Sequence, residues 1–391
     1  MAIKSPMTSL IVASVLAVGL TGPASGQDDA LQMVSIDVEG GGGTLFVTPD
    51  KHSLLIDTGN PEDSQATGSH SSSERIAAVA HQLGLNHIDY VLTTHYHVDH
   101  VGGLPMLLRR IPVGTFIDHG PNREVAGTQA PFGIIGSDGR SVTPLPGSNR
   151  PPRAPAAGNA PPPKMTADFY DDYLKVIAGH RHIIAKPGDV LHIGELTDAI
   201  VAADAKMISK PLPGAGEENA SCADMQPMFA NGGEENTRSV ASVLSYGKVK
   251  IAAFGDLTWD REKDLFCPQD KVGRVDVYLA SHHGTQWSGS PAMLNSLQPI
   301  VTIMGNSAFK GDDPERVKTI EANPRFKALW RLHGSRLHPE IDGTSDMIAN
   351  PSPDSAKDGD YNLRLRIRKN GEITVINDRN GFNKTYQGGG R

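Results

Sequence analysis

The chain has 391 residues, of which 38% are hydrophobic and 21% charged, so it can bury a sizeable core and does not have the composition of a disordered protein. Its formal net charge of −7 argues against tight, nonspecific binding of long nucleic acid. The 42 Gly and 28 Pro residues indicate many loops, as in an enzyme whose site is built at strand ends.

The N-terminus has the pattern of a secretory signal peptide over residues 1–26. Lys4 supplies the positive charge, residues 10–20 form a short apolar run, and small residues at 24–26 offer a cleavage site. The apolar run is too short to span a bilayer comfortably, so we expect no membrane anchor. The sequence therefore predicts a periplasmic or secreted protein with a single domain over residues 27–391.

In the first part of that domain, the sequence predicts three strands, then one helix, then a fourth strand. The helix carries apolar side chains at helical spacing over residues 73–83. The segments with strand-like composition lie at 32–38, 44–47, 53–56 and 88–92.

Three histidines and one aspartate follow the last of these strands within six residues: His95, His97, Asp99 and His100. So many polar side chains could not be buried together without partners, which indicates a metal site. His95 and His97 can face one ion, while Asp99 and His100 diverge and can serve a second. Imidazole combined with carboxylate suits Zn²⁺, Mn²⁺ or Fe²⁺ better than Ca²⁺ or Mg²⁺.

With this motif, the sequence resembles the metallo-β-lactamase superfamily, which implies an α/β fold, an αββα sandwich of four layers. The resemblance covers roughly residues 33–310. Asp57 matches an aspartate that supports the metal loop without binding metal. Asp256 matches the carboxylate that bridges two ions, and a histidine of the pair His282-His283 is expected to complete the second site.

Within the superfamily, the sequence is most similar to the extracellular domain of ComEC-like competence proteins and to secreted phosphodiesterase-like relatives. The strings that carry this likeness are F-G-D at 254–256, S-H-H-G-T-x-x-S-G-S at 281–290 and E-N-T-R-S at 235–239. The likeness implies a metallohydrolase that uses two divalent ions, Zn or Mn, to activate water for attack on a phosphodiester.

This resemblance also gives roles to individual side chains. Asp99 would bind metal and orient the attacking water. His282 is favoured over His283 as the ligand, and the second histidine would then bind a substrate oxygen or protonate the leaving group. Both histidines are thus candidates for metal binding and for catalysis.

One histidine of the family pattern is missing, the third ligand of the first metal site. Glu235 and Asn236 stand in its place, and His119 follows a nearby strand signal. Any of these three could substitute, and if none does, the enzyme would use a single metal. His180 and His182 share the H-x-H spacing but are predicted to be ordinary, half-exposed strand residues.

The Pro-rich run at 144–163 can form neither helix nor strand. We expect an insertion within the domain, either a solvent loop or a flap beside the site. A helix predicted at 167–178 follows it. Its aromatic residues Phe169, Tyr170 and Tyr173 are expected to pack in the core, with the wall of a substrate pocket as the alternative.

The second half of the chain predicts further elements: a hairpin within 240–254, a helix at 259–266, and a hairpin of 362–368 with 372–376. Cys222 and Cys267, the two cysteines of the chain, could form a disulfide in an oxidising compartment. The late basic residues are expected to form a solvated outer face, with a phosphate-binding strip as the alternative: Arg364, Arg366, Arg368 and Lys369.

Three functions are compatible with these features. A secreted phosphodiesterase is favoured by the H-H-G-T string and the basic strip. A β-lactamase or lactonase of the same fold would require an open apolar pocket and a complete two-zinc site, and a noncatalytic binding protein would not need Asp99 and Asp256. The expected substrate is a small molecule or short nucleotide, without a stable nucleic-acid complex, and the sequence does not define the oligomeric state.

Overall fold

The computed structural model describes Met1 and the ranges 29–62, 70–124, 164–224, 235–352 and 359–390. The predicted signal peptide, apart from Met1, and the Pro-rich run at 144–163 lie outside the described residues. Among the helices that are described, none combines the length and apolar character needed to cross a membrane.

Strands of the first half of the chain are β1 Leu31–Ser35, β2 Thr44–Val47, β3 Ser53–Ile56, β4 Ile88–Leu92, β5 Val113–Asp118, β6 Arg181–Ile184, β7 Val190–Ile193, β8 Leu196–Ala203 and β9 Lys206–Met207. Those of the second half are β10 Ala241–Tyr246, β11 Val249–Ala253, β12 Val277–Leu279, β13 Val301–Met304, β14 Ala328–His333, β15 Ile348–Asn350, β16 Leu363–Ile367, β17 Glu372–Asn377 and β18 Asn383–Gln387.

The α-helices in the described residues are α1 Ser72–Gln82, α2 Val98–Val101, α3 Leu104–Leu107, α4 Thr166–Ile177, α5 Trp259–Phe266, α6 Pro291–Leu297 and α7 Pro314–Glu321. The sequence placed α1, α4 and α5 within about one residue of these bounds. The start of α1 is fixed by a capping box, in which Ser71 and Glu74 satisfy each other's backbone N–H groups.

Two sheets contain these strands. The first has the order β18-β17-β16-β1-β2-β3-β4-β5-β6, and its strands from β3 to β6 are parallel. The second has the order β15-β14-β13-β12-β11-β10-β8-β7, with β9 on β8, and is parallel from β11 to β15. Both predicted hairpins are confirmed, since β10 pairs antiparallel with β11 and β16 with β17.

The sheets pack face to face, and helices cover their outer faces. Alternate residues show this directly: Leu54 and Ile251 lie in the apolar layer between the sheets. Leu55 packs with α1 and α3, whereas Ala252 packs with α5 and α6 on the opposite side. The resulting layers follow the order αββα, which confirms the predicted fold class.

The first strand is shorter than the predicted segment 32–38. It ends at Ser35, because the chain then leaves the sheet and Asp37 turns into a buried polar cluster. There its carboxylate lies 2.7 Å from Arg75 and 2.8 Å from His333. The apolar residues at 36 and 38 continue the strand pattern, so the sequence did not show that the strand ends at Ser35.

The described contacts settle three predictions that concern residues outside the site. Tyr173 is buried and donates to Asp118, while Phe169 and Tyr170 pack against the same core, as expected. Cys222 and Cys267 form a disulfide that closes a 45-residue separation. His182 is exposed and lies 2.7 Å from the Asp118 carboxylate.

The late basic residues form a solvated, ion-paired face. Arg364 lies 2.7 Å from Asp378, and Lys369 lies 2.5 Å from Glu195. Since neighbouring carboxylates offset these charges, the contacts give no support to the alternative of a phosphate-binding strip.

Asp198 is a buried carboxyl group in β8 with no compensating cation among the described residues. It lies between Leu196 and Ile200 on the core face, and among the described residues neither oxygen has a hydrogen-bond partner at ordinary geometry. The nearby Ser242 hydroxyl lowers the pKa of Asp198 less than burial raises it. Burial raises the pKa of Asp198 to about 7. The protein must therefore keep this group protonated in the folded state at neutral pH or bear the cost of a buried charge.

We predict that Asp198→Asn will change the pH dependence of stability. The folded-state pKa lies above the unfolded one, so the wild type loses stability as the pH rises from about 4 to about 7, whereas the amide does not titrate. Chemical denaturation at pH 8 should show that the variant has a larger free energy of unfolding than the wild type, by a few kcal/mol. The upper limit is about 1.4 kcal/mol for each unit by which burial raises the pKa of Asp198. The difference should vanish near pH 4. Asp264→Asn, at a half-exposed side chain, serves as the control, and a pH-independent difference would contradict the assignment.

Candidate metal centre

The candidate site lies where parallel strands of both sheets end at one edge. The segment after β4 carries His95 and His97 in the loop and Asp99 and His100 in α2, with His97 as the N-cap residue of that helix. Asp57 follows β3 in the same sheet. From the second sheet, Asp256 follows β11 and the pair His282-His283 follows β12. Because the two sheets face each other, these loops meet.

Asp256 lies at the centre of the site and is almost completely buried. Its Oδ2 atom is 3.9 Å from Nε2 of His95 and 3.4 Å from Nε2 of His282. Its Oδ1 atom is 3.3 Å from Nε2 of His100 and 3.6 Å from Nε2 of His283. Each carboxylate oxygen therefore faces a different pair of imidazoles.

One side of Asp256 is completed by Asp99. The Asp99 Oδ2 atom lies 3.4 Å from Nε2 of His100 and 3.3 Å from Nε2 of His283. The two imidazole nitrogens are themselves 3.3 Å apart. Asp99, His100 and His283 thus form a buried group whose ligand atoms are close enough to hold one cation.

The other side of Asp256 contains the first two histidines of the motif. His95 and His100 form a second buried group with Asp256 that could hold a cation. Nδ1 of His97 lies 3.0 Å from Nε2 of His95, and its Nε2 lies 3.5 Å from the Glu124 carboxylate. Glu124 therefore orients His97 from behind, as carboxylates commonly do for metal-binding histidines.

Asp57 does not join either ligand group and supports them from outside. Its Oδ1 accepts from the Thr94 backbone N–H at 2.7 Å, and its Oδ2 accepts from the Thr94 hydroxyl at 2.8 Å. The same Oδ2 lies 2.7 Å from Nδ1 of His100. Asp57 thus fixes the backbone before the motif and the ring of His100 at once.

The remaining ring nitrogens also face acceptors on the protein. Nδ1 of His283 lies 2.9 Å from the Gly305 carbonyl, and Nδ1 of His95 lies 3.1 Å from the Thr94 hydroxyl oxygen. A ring that donates from Nδ1 keeps a lone pair on Nε2. The Nε2 atoms that face Asp256 are therefore suited to bind a cation.

Burial and charge set the protonation of these groups. Burial lowers the pKa of His282 to about 3 and, helped by neighbouring imidazoles, holds that of His95 well below its usual value. Burial alone would raise the pKa of Asp256, but His100 and the other facing histidines hold it well below its usual range. The facing carboxylates Asp256, Asp99 and Asp57 hold the pKa of His100 well above its usual value despite burial. His95 and His282 are therefore ready as neutral donors, whereas His100 must release a proton when Zn²⁺ or Mn²⁺ binds.

Backbone conformation is unusual at His282 and His283. Both have left-handed dihedrals, with φ of 51° and 58°, which non-glycine residues rarely adopt. Their side chains then reach Asp256 from the same short loop, each toward a different oxygen. The conformation is thus tied to the geometry of the site.

His119 and Glu235, two candidates for the missing ligand, instead contact each other. The His119 Nε2 atom lies 2.9 Å from Glu235 Oε2. Glu235 also accepts from the backbone N–H groups of Tyr96 and Arg123, both at 3.2 Å. Neither residue belongs to the ligand groups found among the described residues. Asn236, the third candidate, is buried, and its Oδ1 atom has no hydrogen-bond partner among the described residues.

Several contributors were not identified from the sequence: Thr94, Glu124, Lys310 and the run Gly40–Gly43. The glycine run lies against the metal loop, and Gly42 donates to the Asp99 carbonyl at 3.0 Å. A Cβ on Gly42 would lie 2.6 Å from Asp57 Oδ2 and 2.8 Å from His100 Nδ1. Four consecutive glycines after the first strand were a visible signal of such close approach.

A comparison with protein families places this geometry in context. The family model described as the metallo-beta-lactamase superfamily matches residues 39–268, more than half of the chain. The search of curated proteins found no match to this chain.

Solved structures with a similar fold have low identity. The metallo-beta-lactamase fold protein YhfI from Bacillus subtilis is 12% identical, with 77% of this chain and 96% of that chain covered and a TM-score of 0.41. A metallo-β-lactamase with a HARLDQ motif from Cronobacter sakazakii is 16% identical, with 56% and 57% covered and a TM-score of 0.28. MEM-A1, a subclass B3 enzyme from a soil metagenome library, is 16% identical, with 78% and 80% covered and a TM-score of 0.28.

We predict that Gly42→Ala will weaken metal binding without unfolding the protein. The added methyl group must displace the buried contact between Asp57 and His100, whose equivalents in other metal sites contribute about 10- to 100-fold in affinity. Competition with a chromophoric zinc chelator measures the change. Gly390→Ala, where a Cβ meets nothing within 4 Å, is the matched control. Equal affinities of the two variants would contradict the role given to this close approach.

Proposed function

We propose that this chain, which belongs to the metallo-β-lactamase superfamily of metal-dependent hydrolases, cleaves phosphodiester bonds. The proposal rests chiefly on Asp256, whose two oxygens face two different pairs of imidazoles. A carboxylate shared in this way suits two neighbouring cations, which can stabilise both the attacking and the leaving oxygen of a displacement at phosphorus. The likeness of the F-G-D and S-H-H-G-T strings to the ComEC-like group supports a phosphodiester over a β-lactam or lactone.

The contacts support one ligand set for each ion. His95, His100 and Asp256 are close enough together to hold a cation, but Nε2 of His100 faces Oδ1, and we therefore assign His100 to the second ion. To the first ion we assign Oδ2 of Asp256 with His95 and His282, which face that oxygen, and His97, whose Nδ1 lies beside His95. To the second ion we assign Oδ1 with the group Asp99, His100 and His283. His282 would then supply the third imidazole of the first site, so that Glu235 and His119 are not needed as ligands. Superfamily members typically bind zinc, and Mn²⁺ is compatible with the same donors.

When bound, the two ions would supply a hydroxide at neutral pH and stabilise negative charge on the substrate. The protein's own part is to hold the donors in place before substrate arrives. Asp57 and the Gly305 carbonyl fix the rings of His100 and His283. The Asp99 carboxylate, at the side of the second group, can orient the attacking water by accepting a hydrogen bond from it.

We further propose that the protein acts outside the cytoplasm. The N-terminal pattern of charge, apolar run and small residues supports export. The disulfide between Cys222 and Cys267 supports an oxidising compartment independently, since such bonds are rare in reducing ones. A short nucleotide or a phospholipid head group would be accessible to the enzyme there.

Hydrolysis of bis(p-nitrophenyl) phosphate by Mn²⁺- or Zn²⁺-loaded protein tests the proposed reaction. We expect Asp256→Asn to reduce turnover by about 100-fold or more, because the amide removes the charge shared by the two ions. Asp264→Asn, on the surface of α5, is the control and should retain wild-type turnover. Nitrocefin is assayed in parallel. Nitrocefin opening without diester turnover would contradict the phosphodiesterase proposal.

Metal content of single variants tests the two ligand sets. We expect His282→Ala and His283→Ala each to retain one ion per chain after dialysis, whereas the wild type retains two. The reason is that the two imidazoles face different oxygens of Asp256. Inductively coupled plasma mass spectrometry gives the stoichiometry, with His180→Ala as a control at an exposed histidine. Two ions in His282→Ala would show that another residue completes the first site.

A further inference from the structure

Lys310 places an ammonium group directly beside the candidate metal centre. Its Nζ atom lies 2.5 Å from Oδ2 of Asp99, the oxygen that also faces His100 and His283. The side chain is 18% exposed, so it reaches the site from the solvent side without being sealed in. Nothing in the proposed ligand sets requires a lysine at this point.

The loop that carries Lys310 is held firmly against the site. It follows β13, and Gly311 approaches the His283 loop so closely that a Cβ would lie 2.1 Å from the His283 carbonyl oxygen. Asp313 donates its backbone N–H to the Gly284 carbonyl at 2.9 Å. The position of the ammonium group is therefore set by the same contacts that position His283.

Hydrogen bonding leaves one donor of this ammonium group available. A lysine carries three N–H donors. Two acceptors contact Lys310 among the described residues, Asp99 Oδ2 and the Gly40 carbonyl at 3.1 Å. With these two on the protein side, the third N–H can point toward the space beside Asp99.

Charge makes this position unfavourable unless an anion binds. With a divalent ion on Asp99, the carboxylate is already neutralised, and the ammonium group and the ion repel each other. A negatively charged oxygen between them would remove that repulsion and accept the third N–H. Lysine commonly binds phosphate in this way, as a compact charge.

We propose that Lys310 determines the preference for an anionic substrate, by donating to a non-bridging oxygen of a phosphoryl group held at the second ion. This inference rests on the proposed phosphodiesterase function and specifies which part of the substrate the chain recognises. A neutral ester or amide has no such oxygen. Lys310 is therefore a specificity-determining residue rather than a metal ligand.

Binding of inorganic phosphate to the metal-loaded protein tests this role separately from turnover. Calorimetric titration compares the wild type with Lys310→Gln, Lys310→Arg and the control Lys318→Gln, whose side chain is 77% exposed on α7. A charge-assisted hydrogen bond corresponds to roughly a 10- to 100-fold change in affinity. We expect that loss in Lys310→Gln, a loss of a few-fold at most in Lys310→Arg, and wild-type affinity in the control. Metal content should be unchanged in all of them.

Two results would overturn the proposal. Phosphate binding by Lys310→Gln as tight as that of the wild type would show that the ammonium does not contact the anion. Loss of an ion from Lys310→Gln and Lys310→Arg alike would show that the lysine only supports Asp99.

If instead the wild type binds phosphate through Lys310 but cleaves no diester, the proposed reaction fails while the anion site stands. For diester turnover, Lys310→Gln should raise KM more than it lowers kcat.

Discussion

The candidate centre depends on the packing of two sheets through one apolar layer. Leu54 and Leu92 of the first sheet and Ile251 and Val301 of the second share this layer, which excludes water between the sheets. Its effect is to hold the carboxyl ends of the parallel strands at the same edge. Side chains that are about 200 residues apart in the chain then lie within hydrogen-bonding distance, and no local motif could achieve this alone.

A second constraint comes from burying so many titratable groups together. Isolated buried carboxylates are costly, and Asp198 shows this, because its pKa is raised to about 7 where no cation faces it. The carboxylates of the centre have the opposite environment. Asp99 has Lys310 and His100 against it, and its pKa is held well below the usual range despite burial. Burial in the apolar core thus favours the protonated form of Asp198, whereas the cationic neighbours in the site keep the Asp99 carboxylate ionised.

The sequence predicted those parts of the site that follow strands. The histidine motif was identified from its own composition after an apolar run, and the resemblance to the metallo-β-lactamase superfamily then pointed to Asp57 and Asp256 at the ends of two further apolar runs. Contacts between distant loops could not be predicted in this way. Lys310 and Glu124 carry no local signal, and their relation to Asp99 and His97 arises only from folding. His119 was identified by its place after a strand signal and Glu235 by its place in the family pattern, yet only the structure shows that they pair with each other.

In the proposed ligand sets, the tandem histidines His282 and His283 each serve a different ion, and His282 takes the place of the missing imidazole of the family pattern. Neighbouring residues in an extended strand point to opposite faces, so they could not both reach one carboxylate. Consecutive left-handed conformations bend the chain at His282 and His283, and the two rings then approach Asp256 at its two oxygens. Such a backbone costs of order 1–3 kcal/mol per residue and persists only where surrounding contacts fix it. Here the contacts are the His282 N–H to the Gly255 carbonyl and the Gly311 backbone against His283. The loop that carries Asp256 and the loop that carries Lys310 therefore both hold His282 and His283 in the left-handed conformation. The positions of the two imidazoles thus depend on contacts from both loops.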